Sequence, residues 1–264
     1  MFMEWHIEVK DLWFSYIKGE YVLKGTNFEA KPGEITALVG PTGCGKSTLL
    51  LIIAGLLKPL KGEVYYNGNP LSSILPNIRR YIGLLFQDPD AQLFNSTVYD
   101  EIAYALRSLG WKEEVRAKAL SIATNLGLRK LLHRPPFRLS VGEKKKVALA
   151  SILVYDPNVL LLDEPTANLD GHSVSVVKNT ILNAKDERKT VIIALHDIGF
   201  VVQVADVIYV MCDGEIKRRC RVYELLDDEV IKEVNLPLPV FARVLKRMNI
   251  DVKDLIRFIR ETNS

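Results

Sequence analysis

A short glycine-rich stretch constrains the fold of this chain more than any other segment: Gly40-Pro41-Thr42-Gly43-Cys44-Gly45-Lys46-Ser47. It fits Gly-x-x-x-x-Gly-Lys-Ser/Thr, the pattern of a phosphate-binding loop. A mostly apolar, β-branched run (34–39) precedes the stretch and a long apolar run (48–57) follows it. The sequence therefore predicts a buried strand, the loop and a helix in that order. A glycine-rich turn that matches the pattern by chance would not need this strand and helix.

The loop is chemically suited to an anion. Three glycines let the backbone close around a phosphate with no Cβ in the way. The free amides and the positive dipole end of the following helix attract negative charge. We expect Lys46 to reach the β- and γ-phosphates of a nucleotide and Ser47 to hold Mg²⁺.

Composition narrows the class of protein. The chain has 264 residues, of which 48% are hydrophobic and 25% charged, as in one large or two modest globular domains. A net charge of +3 is too small to indicate a nucleic-acid partner. Cys44, Cys212 and Cys220 form no CxxC pair, so we expect a reducing compartment. The longest apolar run (49–57) is too short to span a bilayer, and the N-terminus does not resemble a signal peptide. Any work at a membrane would therefore need a partner.

The segments around the loop predict an antiparallel layer. Apolar and polar residues alternate over 5–9 and again over 12–16, as in half-buried strands. We expect several short strands within 5–28 and another at 63–66, which ends at the turn Asn67-Gly68.

A helical region comes next in the sequence. A strand is expected at 81–86, and residues 88 to about 155 then have helical spacing. Thr97 is the expected N-cap of a first helix, a second helix with a charged face covers 112–126, and Pro135-Pro136 breaks the chain. We interpret 88–155 as a helical insertion.

The remaining pattern is typical of an α/β core followed by a helical tail. The sequence predicts fully buried strands at 159–162 and 190–195, a helix at 171–185 capped by Asp170, and a hairpin around Asp213-Gly214. Alternating strands and helices indicate a mostly parallel sheet with its ligands at the strand ends. We expect one unit over 1–221 and a helical extension over 222–264. Apolar stripes at 240–248 and 252–259 in the extension would either form a dimer contact or dock on the chain's own core.

Two further stretches suggest chemistry. Asp163 and Glu164 follow a buried strand, where the first would lie near Mg²⁺ and the second could orient a water or accept its proton. The alternative is an exposed acidic strand end. In Leu139-Ser140-Val141-Gly142-Glu143-Lys144, Ser140 and Glu143 have the spacing of a capping box, which alone would be an ordinary helix start. We expect Lys144-Lys145-Lys146 to form a solvated helix face rather than a nucleic-acid patch.

Taken together, these motifs resemble the ATP-binding cassette (ABC) ATPases, over essentially residues 4 to 220. The wording of 86–94, Gly142-Glu143-Lys144-Lys145 and the helical tail resemble more narrowly the cobalt/nickel and energy-coupling-factor importer ATPases. The resemblance implies a P-loop NTPase (RecA-like) fold. The matching motifs are Tyr16 for the adenine-stacking aromatic, 40–47 for Walker A, Gln87 for the Q-loop, 139–143 for the signature, 159–164 for Walker B, 167–170 for the D-loop and His196 for the switch histidine.

The resemblance also implies a mechanism. Two cassettes pair head to tail and hold two ATP molecules, each on one subunit's Walker A loop and under the other's signature helix. ATP binding closes the pair, and hydrolysis reopens it and moves membrane subunits. The implied roles are Lys46 on phosphate, Ser47 and Gln87 at Mg²⁺, Asp163 on Mg²⁺ through water, Glu164 as base, His196 on the γ-phosphate, and Tyr16, 40–47, Thr48, Ser140 and Gly142 around the nucleotide.

The resemblance therefore implies ATP and Mg²⁺ as ligands and the motor of a vitamin or metal-ion importer as the function. The expected partners are a second cassette, a transmembrane coupling subunit and a substrate-binding membrane subunit, at the cytoplasmic face of the membrane. A soluble cassette ATPase of DNA repair or translation, or a weakly active regulatory cassette, is the alternative. The solute, and the choice between homodimer and heterodimer, stay open. Cys44 could be a modifiable thiol or a small filler residue.

The signature contains one departure from the family pattern. It reads Leu-Ser-Val-Gly-Glu where the family has Leu-Ser-Gly-Gly-Gln. Val141 replaces a glycine, and its branched side chain could crowd the γ-phosphate held by the partner. We hypothesise that this chain works in a heterodimer with one weakened site.

We predict that Val141→Gly raises the ATPase rate of the purified chain, because it removes the branched side chain that would crowd the partner's γ-phosphate. Steady-state phosphate release from both proteins tests this. Equal rates would contradict the hypothesis.

Overall fold

The computed structural model of the protein describes residues 4–75 and 77–225. Within these ranges the chain forms two β-sheets with helices around them. The strands are β1 (Ile7–Ile17), β2 (Glu20–Ala30), β3 (Ile35–Val39), β4 (Lys61–Tyr66), β5 (Asn69–Pro70), β6 (Ile82–Leu85), β7 (Val159–Asp163), β8 (Thr190–Leu195), β9 (Val207–Cys212) and β10 (Glu215–Cys220). The helices are α1 (Lys46–Ile53), α2 (Leu71–Ile74), α3 (Val98–Ser108), α4 (Val115–Asn125), α5 (Val141–Leu153), α6 (Gly171–Asp186), α7 (Ile198–Val204) and α8 (Val222–Leu225).

The larger sheet is the mostly parallel core that the sequence predicts. Its order is β10-β9-β3-β8-β7-β6, with every pair parallel except β9 and β10. Every residue of β3, β7 and β8 is buried, because the sheet is covered on both faces. On β7, Leu160 and Leu162 pack into one apolar cluster while Val159 and Leu161 pack into the other. The strands are therefore apolar apart from Thr36, Asp163 and Thr190, rather than alternating.

The smaller sheet confirms the predicted antiparallel layer, with the order β2-β1-β4-β5. The apolar faces of its strands and of α1 enclose one cluster against the parallel sheet. The prediction of several short strands before the loop was wrong, because β1 and β2 are each long and continuous. The pairing register of β1 shifts between Val9 and Leu12, where Asp11 has a φ of 47°. A β-bulge of this kind resets the alternation, so one strand has the pattern of two.

Helices fill the segment between β6 and β7. Thr97 caps α3 by accepting a hydrogen bond from the Asp100 amide, as predicted. The second helix starts at Val115, later than the sequence pattern indicates. Pro136 opens a short 3₁₀ turn, after which Ser140 starts α5. Helix α5 packs on α3, α4 and β6, so it joins the helical region to the edge of the parallel sheet.

The last described helix, α8, is anchored to the core by Val222 and Leu225, which are both buried in the helix-side cluster. The two apolar stripes expected at 240–248 and 252–259 lie outside the described residues. Among the helices of the described ranges, none is long and apolar enough to cross a membrane.

The end of β3 leaves no room for a side chain at Gly40. A Cβ added there would lie 2.0 Å from the main-chain oxygen of Met211, on the neighbouring β9. We predict that Gly40→Ala lowers the free energy of unfolding by about 1–3 kcal/mol, because β3 and β9 must move apart. Urea unfolding measures the change.

Gly171→Ala is the matched control. A Cβ at Gly171, in the first turn of α6, would meet no atom within 4 Å. Alanine is the better helix former, so this variant should gain up to about 1 kcal/mol. Equal stability of the two variants would contradict the close approach at Gly40.

Candidate active site

A cavity of about 310 Å³ opens at the carboxyl ends of β3, β7 and β8. Because parallel strands end at the same edge of a sheet, three separate loops meet there. Apart from Val22, the lining residues are ones that the sequence singled out. They are Tyr16, Val22, Thr42, Gly43, Gly45, Lys46, Ser47, Thr48, Gln87, Asp163, Glu164 and His196.

Glycine is needed at different positions of the loop for different physical reasons. Gly43 and Gly45 have φ values of 84° and 107°, in the left-handed region that a side chain disfavours. A Cβ at Gly43 would point into open space, so the loop is free to hold a ligand on that side. At Gly40 the obstacle is the protein itself, through Met211. A Cβ at Gly45 would also meet the protein, at 2.9 Å from side-chain atoms of Leu23 and Met211, so of the three glycines only Gly43 leaves open space for an anion.

Lys46 is held inside the loop by its own backbone. Its ammonium donates hydrogen bonds to the main-chain oxygens of Gly40, at 2.8 Å, and Pro41, at 3.0 Å. The side chain is buried, so its ammonium is held in one place beside the first turn of α1 and is not free to move in solvent. A fixed cation at a helix N-terminus fits the phosphate group that the pattern predicts.

Cys44 lies behind this loop, away from the cavity lining. Its thiol is buried, and its main-chain oxygen accepts a hydrogen bond from the Gly214 amide at 3.1 Å. Burial raises the pKa of the Cys44 thiol, although the charge of Lys46 opposes the shift. A thiol with a raised pKa is a poor nucleophile, which favours the filler role over the modifiable one.

Asp163 and Ser47 bring oxygen atoms together at the floor of the cavity. Burial raises the pKa of Asp163, and a hydrogen bond from the Ser47 hydroxyl opposes that shift. Gln87, on the exposed loop after β6, contributes an amide to the same cavity. Hydroxyl, carboxylate and amide oxygens are ligands that suit Mg²⁺, which also keeps waters and phosphate oxygens. No group of three or more His, Cys, Asp or Glu within the described ranges could hold a metal by itself.

Glu164 has a strained backbone and a well-defined carboxylate. Its φ is 46°, which costs a residue with a side chain roughly 1–2 kcal/mol. Its amide donates to the Ala194 oxygen at 2.9 Å, which ties it to the end of β8. Its carboxylate lies 2.6 Å from Nδ1 of His196. The tautomer of the imidazole decides whether Nδ1 donates or accepts in this contact.

His196 is placed by the residue that follows it. Asp197 caps α7, since its carboxylate accepts hydrogen bonds from the amides of Gly199 and Phe200. The imidazole is largely exposed at the mouth of the cavity while the Glu164 carboxylate is buried. The pair therefore joins a solvent-facing group to a shielded carboxylate.

Tyr16 forms one wall of the cavity mouth. Its hydroxyl is 3.2 Å from Oγ1 of Thr48, and its ring packs edge-to-face on Phe14 at 4.9 Å. The ring is otherwise exposed, so a flat apolar face is available to a planar base.

The signature stretch starts α5, as predicted. Ser140 and Glu143 form the complete capping box, with amide-to-side-chain distances of 2.8 and 3.3 Å. The hydrogen bond from the Ser140 amide lowers the pKa of Glu143. Ser140 and Gly142 do not line the cavity, and Val141 is half exposed. The start of α5 is thus a separate surface from the phosphate loop of the same chain.

Sequence reasoning missed two residues near the site. The predicted solvated face at 144–146 is wrong for Lys145, which is 2% exposed and donates to the Glu164 main-chain oxygen at 2.6 Å. Its spacing to Ala148, Leu149 and Ile152, all buried, is the signal that would have found it. Gln92 was the second residue missed. Its side-chain Oε1 accepts a hydrogen bond from the Phe86 amide, and its Nε2 donates one to the Ala148 oxygen, so it fixes the segment around Gln87 against α5.

Comparisons with known proteins agree with this geometry. A model of the ABC transporter family matches residues 23–167. The energy-coupling factor transporter ATP-binding protein EcfA of Methanocaldococcus jannaschii is 41% identical over 248 residues, which are 92% of this chain and 89% of that protein. EcfA2 of Clostridium perfringens is 37% identical over 246 residues, 91% of this chain and 86% of that protein.

A solved structure gives the same result for the fold. That of cbiO1 from Clostridium perfringens, part of the ABC transporter complex cbiONQ, has a TM-score of 0.73 at 35% identity. The match covers 92% of this chain and 100% of the cbiO1 chain. The resemblance predicted from the motifs is therefore confirmed: the chain belongs to the ABC transporter family, as an ATPase subunit with an ATP-binding cassette.

Proposed function

We propose that this chain is the ATP-hydrolysing motor of a membrane importer of the energy-coupling-factor type. The observation that supports hydrolysis is the shared cavity of Lys46, Asp163, Glu164 and His196. The importer type is supported by the likeness to the energy-coupling factor transporter ATP-binding protein EcfA of Methanocaldococcus jannaschii and to cbiO1 from Clostridium perfringens. A vitamin or a metal ion is the class of solute that the resemblance implies.

The nucleotide would lie along the loop. Tyr16 would stack on the base. Lys46 and the main-chain amides of 42–48, including those of Thr42, Cys44 and Thr48, would bind the phosphates, and Gly40 and Pro41, which lacks an N–H, would shape the loop. Ser47 and Gln87 would hold Mg²⁺ directly and Asp163 would hold it through water. Bound there, Mg²⁺ would neutralise charge on the phosphate oxygens.

Glu164 is the residue we assign as general base. Its carboxylate is buried beside the cavity and already contacts Nδ1 of His196 at 2.6 Å. It would take the proton of an attacking water, while His196 would turn toward the γ-phosphate. Hydrolysis would then require His196 to exchange its contact with the Glu164 carboxylate for one with the γ-phosphate.

A second cassette would complete the site. Ser140 and Gly142 lie at the capped start of α5, outside the cavity. The capping box uses the amides of Ser140 and Glu143, and the amides of Val141 and Gly142 would bind a phosphate. A head-to-tail pair would place this helix over the ATP of the other subunit. Val141 would meet the same ATP, so the hypothesis of a heterodimer with one weakened site stays part of the proposal. The 222–264 extension is a candidate dimerisation element beside the 1–221 cassette.

A membrane subunit would contact the helical region. Phe94 and Tyr104 are 67% and 47% exposed, and their rings meet edge-to-face at 4.9 Å. They lie just beyond the Gln87 loop, so a partner seated on them would sense that loop. We propose a transmembrane coupling subunit here and a substrate-binding membrane subunit beyond it. The chain would then be peripheral at the cytoplasmic face of the membrane, with no nucleic-acid partner.

Replacement of the proposed base tests hydrolysis. Glu164→Gln should lower kcat by at least about 100-fold, because the amide cannot accept the proton of water. ATP affinity should stay near that of the parent, since the phosphate loop is unchanged. Phosphate release and binding of a fluorescent ATP analogue measure the two quantities.

Glu187→Gln is the control, because Glu187 is an exposed carboxylate paired with Lys189, away from the cavity. It should hydrolyse ATP at the parent rate. A parent with ATP binding but no turnover, unchanged by Glu164→Gln, would instead support the regulatory cassette.

Replacement of the exposed ring pair tests the contact with membrane subunits. Replacement of both Phe94 and Tyr104 by Ala should abolish co-purification with membrane subunits and leave basal ATPase activity unchanged, because the two rings lie outside the cavity. Affinity purification from native membranes, with identification of the bound chains, measures the first effect. Recovery of the parent with repair or translation factors and no membrane protein would favour the soluble alternative.

A further inference from the structure

Lys145 is a buried cation for which the proposed chemistry has no role. It lies on α5, is 2% exposed, and faces the end of β7. Its ammonium donates a 2.6 Å hydrogen bond to the main-chain oxygen of Glu164. Burial lowers its pKa, and the carboxylates of Glu164, Asp163 and Asp88 oppose that shift. A buried charge is costly unless it is paired, so these neighbours account for its presence.

The oxygen that Lys145 contacts belongs to the one strained residue of the cavity. Glu164 has its φ at 46°, and its peptide orientation decides where its carboxylate lies. The amide side of Glu164 is fixed by the Ala194 oxygen. The carbonyl side accepts the Lys145 bond, with a second bond from the Ala167 amide at 3.2 Å. Lys145 is therefore the side chain that holds the carbonyl of the proposed base.

The neighbouring residue on α5 contacts the segment that follows Gln87. Lys144 forms an ion pair with Asp90 at 2.7 Å, and Asp90 follows the Gln87 loop. Two consecutive lysines thus join α5 to the Glu164 loop and to the segment after Gln87. The same helix begins at Ser140, on the surface assigned to the partner's ATP.

We propose that Lys145 is a positioning residue for hydrolysis. It fixes the Glu164 carbonyl and through it the direction of the carboxylate, and it links the signature helix of a subunit to the base of that same subunit. The inference rests on the proposed function, since it assigns Glu164 as base. A shift of α5 on contact with the partner's ATP would reach Glu164 through this bond.

Three variants of the full chain test the proposal. Lys145→Met keeps the length of the side chain but removes the donor, so kcat should fall by about 10- to 100-fold while KM for ATP stays unchanged. Its thermal midpoint should be unchanged or raised, because an apolar side chain replaces a buried charge. Lys145→Gln retains a neutral N–H donor and should recover part of the lost kcat.

Lys189→Met is the matched control for the loss of a buried lysine. Lys189 is also buried, and it pairs with Asp156 and Glu187 away from the cavity. This variant should keep the parent kcat and KM whatever happens to its thermal midpoint.

Two outcomes would overturn the inference. One is a parent-like kcat for Lys145→Met in an assay where Glu164→Gln is inactive. The other is a loss of kcat together with a lowered thermal midpoint and no recovery in Lys145→Gln, which a purely structural role would give. Turnover by Glu164→Gln at the parent rate would overturn the proposed base instead, so the two failures are distinguishable.

Discussion

The parallel pairing of β3, β8 and β7 is the constraint on which the rest of the site depends. Val39 pairs with Leu195, and Asp163 pairs with Ala194. This register ends the three strands side by side and brings the phosphate loop, the Asp163-Glu164 pair and His196 to one edge. A slip by one residue would turn every side chain of a strand to the other face of the sheet. The two buried clusters hold the register, because each claims alternate residues of the same strands.

The site then gathers charges that water scarcely reaches. Lys46, Lys145, Asp163 and Glu164 are all buried around one edge of the sheet, two of each sign. Single buried charges would be costly, whereas alternating signs at close range offset part of the desolvation. The pKa shifts agree with this balance: burial raises that of Asp163 and lowers that of Lys145, and the opposite charges restrain both. A polyanionic nucleotide would enter a region where the cations are already fixed.

Much of this arrangement could be predicted because it is local in sequence. The loop pattern, the apolar runs of β7 and β8, the caps of α3, α5 and α6 and the hairpin at Asp213-Gly214 each depend on neighbouring residues. The misses depend on contacts from far along the chain. Only glycine fits at position 40, because a Cβ there would collide with the Met211 oxygen. Lys145 can be buried because its ammonium donates a hydrogen bond to the Glu164 main-chain oxygen. The helical spacing of Lys145 indicated a buried position, but lysine is usually exposed, and a solvated face was therefore predicted. In β1, the bulge at Asp11 interrupts the alternation of apolar and polar residues, so the sequence of one strand has the pattern of two.

In the proposed head-to-tail pair of cassettes, helix α5 would serve the ATP sites of both subunits. Its first turn is capped internally by Glu143, so its amides are ordered without a ligand, and Val141 is left exposed among them. Its second turn, at Lys145, contacts Glu164, the proposed base, of its own chain. In the proposed head-to-tail pair, the first two turns of this 13-residue helix would therefore contact both sites and couple them mechanically. A change at Val141 would then act on the partner's ATP directly and on the chain's own Glu164 only through movement of α5. The two effects are separable in a heterodimer, where each ATP can be followed on its own, and they are merged in a homodimer.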